Sequence, residues 1–128
     1  MKTSELIGTT LKIAVAKADN RQIRKGMGGS IEVRGRTEDG DELPEQWDLW
    51  MNWNPATNWE QGGPIIEREF IHWSFPATPH GTSPTIYLAY QYQKGIAPMK
   101  GPTPLIAAMR CYVASKLSDE VEIPKELM

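Results

Sequence analysis

Between Thr3 and Ala18 the apolar residues Ile7, Leu11, Ala14, Val15 and Ala18 recur at the three-and-four spacing that lines one side of an α-helix. Thr3 or Ser4 stands in the N-cap position, and Asp19-Asn20 is expected to end the helix. The period then drops to two. Ile31-Glu32-Val33-Arg34 reads as a half-exposed strand after the glycine-rich loop Lys25-Gly26-Met27-Gly28-Gly29-Ser30, and Asp39-Gly40 reads as a turn. Trp47, Leu49, Met51 and Trp53 alternate with Asp48 and Asn52, which predicts a strand with a heavy aromatic face. Asn54 to Pro64 reads as a loop, and Ile65 to Ser74, rich in β-branched and aromatic residues, as another strand. After a turn-rich stretch from Pro76 to Pro84, Thr85 to Tyr92 alternates again, with Ile86, Leu88, Tyr90 and Tyr92 on one face; Gly95 to Gly101 forms a last loop.

The best-marked element is the final helix, because Gly101-Pro102-Thr103-Pro104 supplies a breaker, an N-cap and a proline at the first helical position. It is expected from Pro104 to about Leu117, with Leu105, Ile106, Met109, Tyr112, Val113 and Leu117 on the side that packs on the sheet. The pattern thus predicts an α+β fold: a small antiparallel sheet of three to five strands flanked by an N-terminal and a C-terminal helix. A length of 128 residues predicts a single domain over 1–128.

Composition narrows the setting. With 40% apolar and 23% charged residues the chain has a globular rather than a disordered make-up. A single cysteine, Cys111, excludes an intrachain disulfide, and no apolar run reaches the roughly 18 residues of a membrane span. The first residues lack the apolar core of a signal peptide, so a reducing cytoplasm is expected. Residues 1–36 carry eight basic and three acidic side chains, while 38–48 carry six acidic ones. That asymmetry is read as two stretches screening each other; nucleic-acid binding through Arg21, Arg24, Lys25, Arg34 and Arg36 is the alternative, weakened by the acidic neighbour.

Three stretches, Lys2-Thr3-Ser4-Glu5-Leu6, Asn58-Trp59-Glu60-Gln61-Gly62-Gly63-Pro64-Ile65-Ile66-Glu67, and Gly101 to Pro124, resemble the NinX-like family of small proteins from enterobacterial tailed phages and prophages. The resemblance covers about half of the chain and leaves 19–53 and 74–100 unmatched. It implies a phage origin, expression in the host cytoplasm and an accessory role. It implies no reaction.

The residues themselves point away from catalysis. His72 and His80 have no second histidine or cysteine at metal-ligand spacing, so no metal or other cofactor is expected. Cys111 is read as a small apolar filler on a helix flank. Glu67 and Glu69, on one face of their predicted strand, are read as solvent-facing charges before an acid–base pair. The glycines from 26 to 29 lack the Gly-Lys-Ser/Thr ending of a phosphate-binding loop and precede a strand where a helix is required.

Two features carry a binding hypothesis. Five tryptophans are present, and Trp50, Trp53 and Trp59 lie close together beside a Gly62-Gly63-Pro64 turn that would present backbone amides. Arg110 sits at the edge of the apolar arc of the last helix, where its guanidinium would serve as an anion partner if turned toward Trp59. The candidate ligand-binding set is therefore Trp53, Trp59, Gln61, Gly62, Gly63 and Arg110, weighed against the plain reading that the tryptophans are core. The function expected from them is non-enzymatic binding, with sequestration of a small nucleotide-type host signal. A protein-interaction module directed at a host defence or regulatory protein is the alternative. A homo-oligomer using the Trp47–Trp53 face is also expected.

Overall fold

The computed structural model of the chain describes residues 1–26, 31–36, 42–47, 53–91, 95 and 97–127, the side chains of 34–36, 42–47 and 126 excepted. At its centre two helices, α1 (Gly8–Ala18) and α3 (Pro104–Lys116), pack against each other. α3 starts where the sequence places it: the Thr103 hydroxyl accepts the Ile106 amide at 3.1 Å, and Pro104 occupies the first turn. α1 starts later than its pattern predicts. Thr3–Glu5 is a separate 3-10 turn, and the Thr3 hydroxyl donates to the Ser118 carbonyl at 2.7 Å rather than capping a helix.

Both helices are buried far more widely than one stripe. Every residue from Leu11 to Ala16 in α1, and from Ala107 to Val113 in α3, is buried. Ala14, Ala16, Ala107 and Ala108 are small enough to admit neighbours on several sides at once. On one side α1 and α3 face each other; on another, α3 lies across a sheet, and Lys17 of α1 donates to the Glu122 carbonyl of the closing segment.

The fold is α+β, as the pattern predicts, and its described strands divide into two antiparallel sheets of three. The first has the order β1 (Ile23–Lys25), β2 (Ile31–Arg36), β3 (Glu42–Trp47). Ile31, Glu32 and Val33 are all buried, so β2 is not half exposed there; Glu32 is held by Arg24 at 2.6 Å. β3 ends at Trp47, where the aromatic strand was expected to begin. Residues 48–52, the Asp39-Gly40 turn and residues 27–30 of the glycine-rich loop lie outside the described residues.

The second sheet has the order β4 (His72–Ser74), β5 (Tyr87–Tyr90), β6 (Met99–Gly101) and packs on α3. β6 replaces part of the loop expected before α3. Its Gly101 lets the sheet approach the helix closely, since a Cβ there would meet the Ala107 amide nitrogen at 2.6 Å. Leu88 and Tyr90 share a face as predicted, but it is the outward one. Ala89, opposite Met99 and Trp73, is completely buried against the helix side. A small residue wins that position because the helix needs the room.

Residues 59–68, read as the end of a loop and the start of a strand, are instead a helix, α2 (Trp59–Arg68), and of the strand expected over 65–74 only His72–Ser74 forms. The Asn58 side chain accepts the Glu60 amide at 2.8 Å and caps it. Gly62 is not part of a turn; it lies against the Pro55 carbonyl and Leu105, where a Cβ would collide. Pro64 sits within the helix at the loss of one amide donor. Gly62 and Ile65 face inward, so α2 has a narrow buried side where α1 and α3 have broad ones.

α1 and α2 end in the same turn. At α1 the Asn20 amide donates to the Lys17 carbonyl and the Arg21 amide to the Ala16 carbonyl; at α2 the Phe70 amide donates to Glu67 and the Ile71 amide to Ile66. This is the paired pattern of a Schellman motif, and it requires a left-handed residue, here Asn20 (φ +55°) and Phe70 (φ +53°). The chain closes on itself by pairing its two end segments: Met1 and Val121 exchange backbone hydrogen bonds, and the Thr3 amide donates to Asp119.

Candidate aromatic binding face

The six residues expected to share a recess do not converge. Trp53 is half-buried and packed on the core, with the Arg21 guanidinium 4.7 Å above its ring. Trp59 opens α2 and is half exposed. Gln61 turns its side chain back to accept the Asn54 amide at 2.6 Å, and Gly62 is buried in the contact with Pro55 and Leu105. Gly63 faces open space within the same helix, whose amides serve helical hydrogen bonds rather than a presented turn.

Arg110 is turned inward. Its guanidinium donates to the Leu6 carbonyl at 2.8 Å and to the Lys100 carbonyl at 2.7 Å. It thereby ties the entry of α1 and the strand β6 to α3, and burial lowers its pKa.

What the structure does assemble at Trp59 is an aromatic row. Trp59 lies 6.3 Å from Trp73, Trp73 lies 6.1 Å from Tyr87, and Phe75 lies 6.0 Å from Tyr87, all in tilted or edge-on contact. Register explains the assembly: Trp73 pairs with Ala89 on β5, which puts it on the side of the sheet that carries Tyr87, beside the start of α2. Trp59, Trp73 and Phe75 are all exposed. Next to Trp59 a half-open groove of about 270 Å³ is lined by Ala56, Thr57, Thr103, Pro104, Leu105 and Ile106, a lining without a cation. Two helix starts border it, but the Asn58 and Thr103 caps already occupy amides of both. The sequence pattern singles out Trp59 but not Trp73, Phe75 and Tyr87: strands are expected over 65–74 and 85–92, but alternation along each strand does not give the register that sets Trp73 opposite Ala89 and so beside Tyr87.

A second cluster, of charges, was also missed. The Tyr112 hydroxyl donates to the Asp19 carboxylate at 2.9 Å, and Asp19 is further held by Arg21 at 2.8 Å and Arg68 at 3.1 Å. Arg68 reaches Glu69 at 3.2 Å, and Lys116 reaches it from α3 at 3.1 Å. The ends of α1, α2 and α3 are thus cross-linked. Burial, with the Asp19 charge, pushes the Tyr112 phenol far above its ordinary value. Burial also pushes the Cys111 thiol up to about 11, which suits the filler role expected of it. Glu67 and Glu69 do not share a strand face; one is exposed on α2 and the other follows its last turn within the charge cluster.

His72 stacks on Tyr90 at 5.6 Å, and among the described residues no group of three potential ligands is placed to hold a metal ion. No described helix is long and apolar enough to cross a membrane. The aromatic stretch proposed for an oligomer contact falls, between 48 and 52, outside the described residues. No curated protein matches the chain. The family model described as Bacteriophage P22, NinX matches residues 2–116, a span that includes the stretches 19–53 and 74–100 left unmatched by the resemblance.

Proposed function

The chain belongs to the bacteriophage P22 NinX family, and from that premise we propose that it is a non-enzymatic accessory protein, acting in the host cytoplasm, that docks on a host protein through its aromatic row. The observation that carries this reading is the joint exposure of Trp59, Trp73 and Phe75 in one chain of ring contacts. Large apolar side chains left in water forfeit about 25 cal/mol for each Å² they do not bury, so a connected group of them marks a surface that gains when covered. Aromatic residues are also the side chains that most often dominate binding between proteins. Inhibition of a host defence or regulatory protein is the role that fits such a face.

The test is retention of host proteins on the immobilised full chain and on its Trp59→Ala/Trp73→Ala variant. A host protein held by the first and released by the second, with both chains equally stable, is the expected result. Identical retention by the two chains counts decisively against the aromatic row.

The groove beside Trp59 favours a second reading, in which a nucleotide-type ligand lays its ring on the indole. Its weak side is the phosphate, since Arg110 and the Gly62–Gly63 amides are engaged elsewhere. Thermal-shift screening with nucleosides and nucleotides separates the readings: stabilisation abolished by Trp59→Ala supports the ligand, and no stabilisation removes it.

A further inference from the structure

We propose that Phe70 is a recognition residue, held out past the end of α2 to enter an apolar socket on a partner protein whose rim carries carboxylates. The inference rests on a mismatch between the residue and its place. Phe70 occupies the left-handed position of a Schellman turn, with φ +53°. That position strains any residue with a Cβ and is ordinarily taken by glycine or asparagine. The same chain takes the ordinary choice at the equivalent turn after α1, where Asn20 has φ +55°.

Among the described residues nothing within the fold accounts for the phenyl ring. Phe70 is 79% exposed and makes no ring contact among them. The apolar contact that accompanies such turns belongs to its neighbour: Ile71 is buried, and Ile66 packs on the core. Here an aromatic residue is both strained and solvated, although a glycine or asparagine would serve the backbone better. A strained side chain that the fold does not require at its position is characteristic of a contact site.

Charge says what covers it. In the cluster beside Phe70 the cations lie outermost: the Arg68 and Lys116 side chains are 52% and 37% exposed, against 10% for Asp19 and 11% for Glu69. A partner approaching the cluster therefore meets the guanidinium and ammonium groups before the Asp19 and Glu69 carboxylates, with Glu67 of α2 the exposed acid of the same turn, and carboxylates on the cluster side of its socket complement these cations. This contact lies at the opposite end of α2 from Trp59, roughly 15 Å away along a ten-residue helix. It stands independently of the aromatic row.

Two measurements on the full chain test it. Phe70→Asn is expected to raise the melting temperature, by about 3 °C, because it relieves the left-handed strain and deletes no contact. A lower melting temperature for Phe70→Asn overturns the proposal, since the ring would then serve the fold. The second measurement selects binders from a displayed library of random dodecapeptides. Enriched peptides are expected to combine an aromatic or aliphatic residue with Asp or Glu, to weaken by about tenfold or more against Phe70→Asn, and to keep their affinity for Trp59→Ala/Trp73→Ala. Enrichment no better than that obtained with Phe70→Asn, or peptides without acidic residues, overturns it. Loss of binding in the tryptophan variant alone would sustain the aromatic row and refute Phe70.

Discussion

Along α1 and α3 the runs Leu11–Ala16 and Ala107–Val113 are buried without a break, and the large polar side chains within the second serve the interior, Arg110 on two carbonyls and Tyr112 on Asp19. Along α2 only Gly62 and Ile65 are buried, while Trp59 at its first position and Phe70 just past its last are left in solvent. The contrast separates two tasks. Residues that hold the molecule together sit on the central pair of helices, and residues available to another molecule sit at the two ends of the third and on the strand that follows it.

The sharpest way to break that division is Arg110→Met. It leaves the Leu6 and Lys100 carbonyls without their donor and should cost about 3 kcal/mol in urea unfolding. A loss under about 1 kcal/mol would mean that the arginine is not a tie between elements. Gly101→Ala comes next. The added methyl collides with the Ala107 backbone, and about 2 kcal/mol is expected, read again from the unfolding midpoint. Tyr112→Phe removes one hydroxyl from a cluster in which Arg21 and Arg68 still hold Asp19, so about 1 kcal/mol should be lost.

Acid supplies a gentler probe of the same cluster. Burial pushes the Glu69 carboxyl up, but hydrogen bonds from Lys116 and Arg68 outweigh it and hold the group below its ordinary value of 4.5. A carboxylate whose pKa is lower in the folded state contributes its full stability above that ordinary range and loses it as the pH falls through the folded value. Melting temperature should therefore drop on acidification below about pH 4.5, and less steeply in Glu69→Gln. The smallest effect is expected on the other side of the division. Trp59→Ala should change stability by no more than about 0.5 kcal/mol, because its ring is half in water. A loss near about 2 kcal/mol would move Trp59 from the contact surface to the fold.

The elements that were legible in the sequence are those whose ends are chemically marked. Thr103-Pro104 opens α3 at the expected residue, and Asp19-Asn20 closes α1 by supplying the left-handed asparagine of its turn. α2 was hidden by Gly62, Gly63, Pro64 and the β-branched pair Ile65-Ile66, all of which argue against a helix on local preference. Tertiary contact overrides that preference, since Gly62 is needed where the helix meets Pro55 and Leu105. One sign was available: Asn58 followed three positions later by Gln61 is the spacing of a helix start. Of the candidate site, Trp59 was readable and Arg110 misread. A helical position at the edge of an apolar arc does not say whether a long cation turns toward water or toward buried carbonyls.

The contact between the two end segments joins positions 120 apart. Until that much of the chain has left the ribosome, the helix near its beginning lacks both α3 and the closing segment that cover it, and its apolar side chains Leu11, Ile13, Ala14 and Val15 stay uncovered. Folding must then be a late, nearly simultaneous event rather than one that proceeds as the polypeptide emerges, and the nascent chain is a natural client for chaperones during synthesis.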